Sequence, residues 1–300
     1  MARWLIYALG GGLGHAVRGA CIARALSACG VQARVLCAQH AASAARRLFP
    51  DVSGLTREEH PTPRALADRL ALELASCDLL LLDTFPRGVL GELDSVAPRV
   101  PRILLTRLVR EPHPALNTRS GWAELGLLGV VDIEPNLEWL RGPALRCGPV
   151  ARRLTQVHLS PRPVVQVALS DENARTRVVG LLERAGLGCV VAQSGELAEG
   201  FCAPIVIGRA GYNLTYELAA AGIWHVALPA PRPIDDQARR AAQLGTSVLS
   251  PQALERRLRG LVSAGPRPPS VVLEHGELAA QLIEFARDSS GNQRQASRAR

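Results

Sequence analysis

Along this chain, short apolar runs bounded by glycine, proline or polar residues alternate with longer segments in which apolar positions return every three or four residues. The first rhythm is that of a strand buried on both faces, the second that of a helix with one face on a core. Read in order, the pattern predicts strand 4–9, helix 16–28, strand 33–38, helix 41–48, helix 63–76 and strand 79–82, with further strands at 102–106 and 129–133. After residue 163 it begins again, with strand 164–169, helix 174–185, strands 189–193 and 204–207, helix 213–221, strand 225–228, and helices 236–243 and 251–263. Alternation of this kind gives a parallel sheet covered by helices.

The restart divides the chain into two α/β halves. The expected domains are 1–149 and 150–288, linked by the proline-bearing stretch 149–163. "GPRPPS" at 265–270 interrupts the second half before a last helix at 277–287, and the polar tail 289–300 lacks apolar periodicity and is expected to be disordered.

One loop carries the strongest chemical signal. "YALGGGLGHAVRGA", 7–20, sets Gly10, Gly11, Gly12 and Gly14 between the first strand and its helix. Glycines there let the backbone turn sharply or let a ligand approach the free N–H groups of a helix start. A dinucleotide fingerprint needs glycines at offsets zero, two and five; counting from Gly10 the third position is His15, and from Gly12 it is Val17. The acidic residue that holds a ribose after the second strand is also missing, since only Gln39 and His40 stand there. The loop instead admits a substrate and presents His15, whose imidazole suits a general base near neutral pH. A purely structural role, with His15 capping the helix, stays open. Asp83, closing the apolar run 79–82, could orient His15 or act as the base itself; hydrogen bonding to its own loop is the alternative.

A second strand, glycine loop and helix follow in "IGRAGYNLTYELAAAGIWHVALPAPRPIDDQ", 207–237. Gly208 and Gly211 open the loop, Glu217 stands one turn past Asn213 on the helix, and Asp235, Asp236 and Gln237 follow the next strand, at the sheet end where open α/β folds bind ligands. Asp235 or Asp236 could equally be a helix cap.

Composition narrows the choice by exclusion. All 35 basic residues are arginine, which rules out a P-loop lysine and a lysine-bound pyridoxal cofactor. A net charge of +8 suits an anionic ligand; nucleic acid is not expected, because the arginines are dispersed and aromatic residues make up only 4%. The seven cysteines are scattered without a C-x-x-C pair and read as reduced thiols rather than a disulfide framework or a metal site. No apolar run reaches the roughly 20 residues that span a bilayer, and a cytoplasmic location is expected.

"GGGLGH" after the first strand, "CGPV" at 147–150, and "GRAGYN" with the later glutamate, "AAG", proline and "DQ" resemble the two-domain GT-B glycosyltransferases, in particular the branch of the cell-wall N-acetylglucosaminyl transferase. The resemblance runs from about residue 3 to 245, in order. It implies two Rossmann-like domains facing a cleft, and a nucleotide-sugar co-substrate, with UDP the expected nucleotide, moved without a bound metal or other cofactor to a hydroxyl of an unknown acceptor. It places Gly208, Gly211 and Asn213 toward the donor diphosphate, Glu217 on the ribose, Asp236 and Gln237 on the sugar, and His15 near the acceptor. Arg209 either helps the leaving diphosphate or is a surface arginine, Gly12 and Gly14 read as keeping the first loop open to the donor, and Asp83 reads as the partner of His15 or the base itself. Peripheral contact with a membrane stays open.

Two departures bear on the donor. Ser170, Asp171 and Glu172 stand where relatives carry a glycine-rich loop, and the stretch 193–204 is shorter than the helix and strand expected there. The acidic loop keeps open a catalytically silent binding protein of the same fold, and the same chemistry with water as acceptor, hydrolysis of a nucleotide sugar, is the other alternative to transfer.

Overall fold

The computed structural model describes residues 1–56, 58, 62–96, 100–110, 127–134, 144–152, 164–192, 201–246, 250–265, 267–269 and 275–298. Most of the expected link at 153–163, and the short stretch 193–200, lie outside the described residues. Two compact units result, Met1–Val150 with Leu273–Arg300, and Ala151–Val272.

In the first unit, strands β1 (Arg3–Ala8), β2 (Gln32–Ala38), β3 (Val52–Leu55), β4 (Leu79–Asp83), β5 (Arg102–Thr106), β6 (Leu127–Asp132) and β7 (Ala144–Arg146) form a sheet in the order β3-β2-β1-β4-β5-β6-β7. Every described pairing is parallel. Runs such as Leu79 to Leu82 are buried throughout, as a parallel sheet covered on both faces requires. Leu5, Tyr7, Leu80 and Leu82 meet Leu66 and Leu70 of helix α3 (Pro63–Leu74) in one core. The strand order reverses between β1 and β4, the kind of point beyond whose strand carboxyl ends open α/β sheets generally bind ligands.

Helix α1 (Leu13–Ala28) follows β1 directly. It sits close on the sheet because residue 19 is glycine: a Cβ there would lie 3.0 Å from the Ala8 Cβ. The helix begins three residues before the expected start at 16, with Gly12 in extended conformation as its N-cap. This difference puts His15 inside the first turn. Helix α2 (Gln39–Arg46) joins β2 to β3.

The last helix, α8 (His275–Arg298), belongs with the first unit rather than the second domain, and it continues helical through most of the expected tail 289–300. Its buried Leu278, Ala279 and Leu282 recur at helical spacing, and it packs on α1 and β6.

The second unit holds strands β8 (Val165–Ala168), β9 (Cys189–Val191), β10 (Ile205–Gly208) and β11 (Trp224–Ala227) in the parallel order β11-β10-β8-β9, with the reversal between β8 and β10. Helices α4 (Glu172–Arg184), α5 (Tyr212–Ala220), α6 (Gln237–Gln243) and α7 (Pro251–Ala264) accompany them. Val165, Val167, Ile205 and Ile207 pack with Leu182 of α4 and Leu254 and Leu258 of α7. The proline-rich segment after α7 is pinned to the sheet: Trp224 Nε1 donates to the Gly265 carbonyl at 2.7 Å, and the Arg267 guanidinium lies 5.7 Å over the indole. Among the described residues, no helix is long and apolar enough to cross a membrane.

Candidate functional site

At the carboxyl ends of β1, β4 and β5, five polar side chains are buried together. His15 is 8% exposed and Asp83, the last residue of β4, is 2% exposed. His15 Nδ1 lies 3.0 Å from Asp83 Oδ2. Arg18, one turn further along α1, donates Nη2 to both carboxylate oxygens, at 2.8 and 2.6 Å. The Thr84 hydroxyl donates to Asp83 Oδ1 at 3.0 Å and accepts from Arg107 Nε at 3.2 Å. The far end of that guanidinium, Nη2, is 3.4 Å from His15 Nε2.

These distances fix the state of the imidazole. Burial pushes the Asp83 carboxyl up, but Arg18 and then His15 outweigh it and hold the group well below the usual carboxylate range. An ionised carboxylate only accepts, so the His15 proton sits on Nδ1 and the lone pair on Nε2. Burial also lowers the His15 pKa; Asp83 opposes this, and Arg107 and Arg18 add to it. The ring is neutral at neutral pH, oriented by a carboxylate and basic at Nε2, the arrangement a general base requires.

The glycine loop is explained in two parts. A Cβ on Gly10 would lie 2.5 Å from His15 Cδ2, so the imidazole packs directly on a bare backbone. Gly11 and Gly12 face open space, with nothing within 4 Å of the Cβ position. Gly14 lies in the first turn of α1, where neither a side-chain cap nor an acidic residue is present. The loop after β4 is held from below by Glu92, which accepts from the Tyr7 hydroxyl and, at 2.8 Å, from the Leu90 amide. Thr84 has φ 75, a left-handed backbone that costs a β-branched residue about 1–3 kcal/mol.

In the second unit, β10 ends at Gly208, where a Cβ would lie 2.6 Å from Leu214 Cδ2. Gly211 caps α5 without a side chain, again with no acidic residue in the first turn. The helix start therefore favours an anion. Arg209 is anchored across the sheet end by Nη1 donating to the Leu228 carbonyl at 3.1 Å. Asn213 lies in the first turn, and Glu217, buried one turn on, is 3.2 Å from Arg152 Nη2. Burial raises the Glu217 pKa against the pull of Arg152.

Asp236 and Gln237 are engaged within their own loop. Asp236 Oδ1 accepts from the Arg239 amide at 3.1 Å as the α6 cap, while Gln237 Oε1 accepts from the Ala230 amide and Nε2 donates to Asp235, both at 3.2 Å. Fully buried Arg240 ties this loop to the start of α5, donating to the Ala210 carbonyl at 2.8 Å and to Asp235 Oδ1 at 2.9 Å. The acidic departure noted in the sequence has a local function: Asp171 Oδ1 accepts from the Ala174 amide at 2.6 Å, filling the start of α4. Among the described residues, no group of three or more histidine, cysteine or acidic side chains could hold a metal ion.

His15 and Asp83, chosen from the sequence, are thus brought into contact, and the five from Gly208 to Glu217 share one turn and the helix it opens. Arg18, Thr84, Arg107, Arg152 and Arg240 were not anticipated. Arg18 could have been, since it stands three residues beyond His15 on the same helix.

No known protein family matches the chain by sequence, and no curated protein does. Solved structures do match its fold. A glycotransferase of kitacinnamycin superposes with TM-score 0.62 at 13% identity, covering 99% of this chain and 97% of the other. SsfS6, a glycosyltransferase of Streptomyces sp. SF2575 solved with thymidine diphosphate, gives 0.57 at 18% identity over 95% of this chain and 99% of the other. MurG of Acinetobacter baumannii gives 0.57 at 15% identity over 87% and 91%. At such identities the likeness is one of fold, and the fold is that of the GT-B glycosyltransferases.

Proposed function

We propose that this chain transfers a sugar from a nucleoside-diphosphate sugar to an acceptor hydroxyl. The observation that carries the reading is the buried contact of His15 Nδ1 with Asp83 Oδ2 at 3.0 Å, which leaves Nε2 basic beside a glycine loop open at Gly11 and Gly12. In the proposed step the acceptor hydroxyl gives its proton to His15 Nε2 as its oxygen attacks the anomeric carbon. The bond from that carbon to the diphosphate breaks, and the nucleoside diphosphate leaves with the electron pair. Asp83 stabilises the imidazolium that forms.

The second unit supplies the donor side of this reading. The start of α5, from Gly208 through Asn213, and the Arg209 guanidinium receive the diphosphate. Glu217 accepts hydrogen bonds from the ribose hydroxyls. Asp236 and Gln237 shape the sugar subsite through the loop they brace. Both UDP, expected from the sequence, and thymidine diphosphate, held by SsfS6, are candidate nucleotides.

The acid that fills the start of α4 favours a second reading, a protein of this fold that holds no donor. A thermal-shift panel with UDP, thymidine diphosphate, GDP and NAD separates the two, since a ligand at about 100 times its Kd adds about 2.7 kcal/mol of stability. Stabilisation by one nucleoside diphosphate, lost in Glu217→Ala, supports the transferase; no response to any of them supports the silent protein. Release of free sugar without an acceptor would assign the same site to hydrolysis.

A further inference from the structure

Among the described residues, Thr84 is the one non-glycine residue with positive φ, and it follows Asp83 directly. Glycine or asparagine would adopt that backbone more easily. The side chain, however, has two partners that neither would supply in the same way. Its hydroxyl donates to Asp83 Oδ1 and accepts from Arg107 Nε, and the Thr84 amide is held by the Leu105 carbonyl at 2.9 Å. Asp83 and Arg107 are also the groups on the two nitrogens of the His15 ring. Thr84 therefore joins the acid on one edge of the imidazole to the guanidinium on the other.

We propose that Thr84 is a positioning residue: its hydroxyl holds Arg107 against His15 Nε2 and so sets how readily that nitrogen takes a proton. The inference rests on the reading of His15 as the base. Among the described residues, the charged groups facing the ring are Asp83 from β4, Arg18 from α1 and Arg107 from the segment after β5, with Phe85 5.6 Å from it between ring centroids. Arg107 opposes protonation in two ways, by its charge and by donating to the lone pair that the proton would occupy. An acceptor hydroxyl must take the place of Nη2 at Nε2, while the Thr84 hydroxyl keeps Nε, the inner end of the guanidinium, in place.

The test is an NMR titration of the histidine rings in the full-length protein, with His15 assigned as the resonance missing from His15→Gln. Thr84→Val keeps the branched shape and removes the hydroxyl; Thr84→Ser restores the hydroxyl. The expected result is a His15 pKa that rises in Thr84→Val and returns to the wild-type value in Thr84→Ser. Arg107→Gln serves if Thr84→Val does not fold. It should raise the pKa in the same direction, and the double variant should titrate as Arg107→Gln alone does. A folded Thr84→Val or Arg107→Gln whose His15 titrates as in wild type overturns the proposal, as does a Thr84→Ser that shifts as far as Thr84→Val. Because the readout is a ring titration without substrate, it stands or fails separately from nucleotide binding and turnover.

Discussion

His15 on the first turn of one helix and Asp83 at the end of the adjacent central strand meet at 3.0 Å, both buried, at the point where the order of the first sheet reverses. The contact is made by β1 and β4 lying side by side, with Tyr7 opposite Leu82 in register. The glycine loop beside them packs Gly10 on the His15 ring and leaves open space at Gly11 and Gly12.

Gly10 and Gly11 should respond differently to a methyl group. Gly10→Ala places a carbon 2.5 Å from His15 Cδ2 and must displace the ring. Turnover should fall by at least about tenfold, the cost of misaligning a general base. Gly11→Ala meets nothing within 4 Å and should leave stability within about 0.5 kcal/mol of wild type. Steady-state kinetics and thermal melts of the pair check this.

Glu217 should make nucleotide binding pH-dependent. Burial raises its pKa against the pull of Arg152, so as pH falls the carboxylate takes up a proton earlier than an ordinary glutamate does and loses acceptor capacity for a ribose diol. Affinity for the nucleotide should decline on acidification, while Glu217→Gln binds about tenfold more weakly, roughly 1.4 kcal/mol, and shows a flatter profile. Calorimetry over a series of pH values from neutral downward measures both.

Acid should destabilise the second unit through His225. Burial, followed by the Arg267 charge, lowers its pKa to about 4 in the fold. The unfolded chain binds this proton from about pH 6.5 downward, so stability is lost between those values as pH falls. Two and a half units at about 1.4 kcal/mol each give roughly 3.5 kcal/mol, fully expressed below pH 4. His225→Leu should remove that part of the acid sensitivity in melts at pH 7.5, 6 and 4.5.

Asp171 is read as a helix cap. Asp171→Ala should cost about 1 kcal/mol, the usual value of such a cap, without weakening nucleotide binding. A gain in nucleotide affinity would show that the carboxylate repels the diphosphate.

The strands were legible because both faces of a parallel sheet are buried, which writes them as continuous apolar runs. The two missed strands, "VSGL" and "ALR", lie at the edges of the sheet, are short, and carry little apolar signal. The terminal helix was legible as a helix, but its place in the first unit rests on packing against α1, far away in sequence. His15 stood out behind the glycine loop at a helix start, and Asp83 as the polar residue that closes an apolar strand. Arg18 and Arg107 did not, because arginine reads as a surface residue unless its partners are known. The positive φ of Thr84 leaves no trace in residue type, since threonine is a poor choice for it.

The most direct test of the proposed chemistry is release of nucleoside diphosphate from a panel of UDP- and thymidine-diphosphate sugars, comparing wild type with His15→Ala in the presence of candidate acceptors. The account predicts release by wild type and a loss of about 10²–10⁴-fold in His15→Ala, with the Kd for the nucleotide nearly unchanged. A donor turned over equally well by both proteins would contradict it and reduce His15 to a structural role.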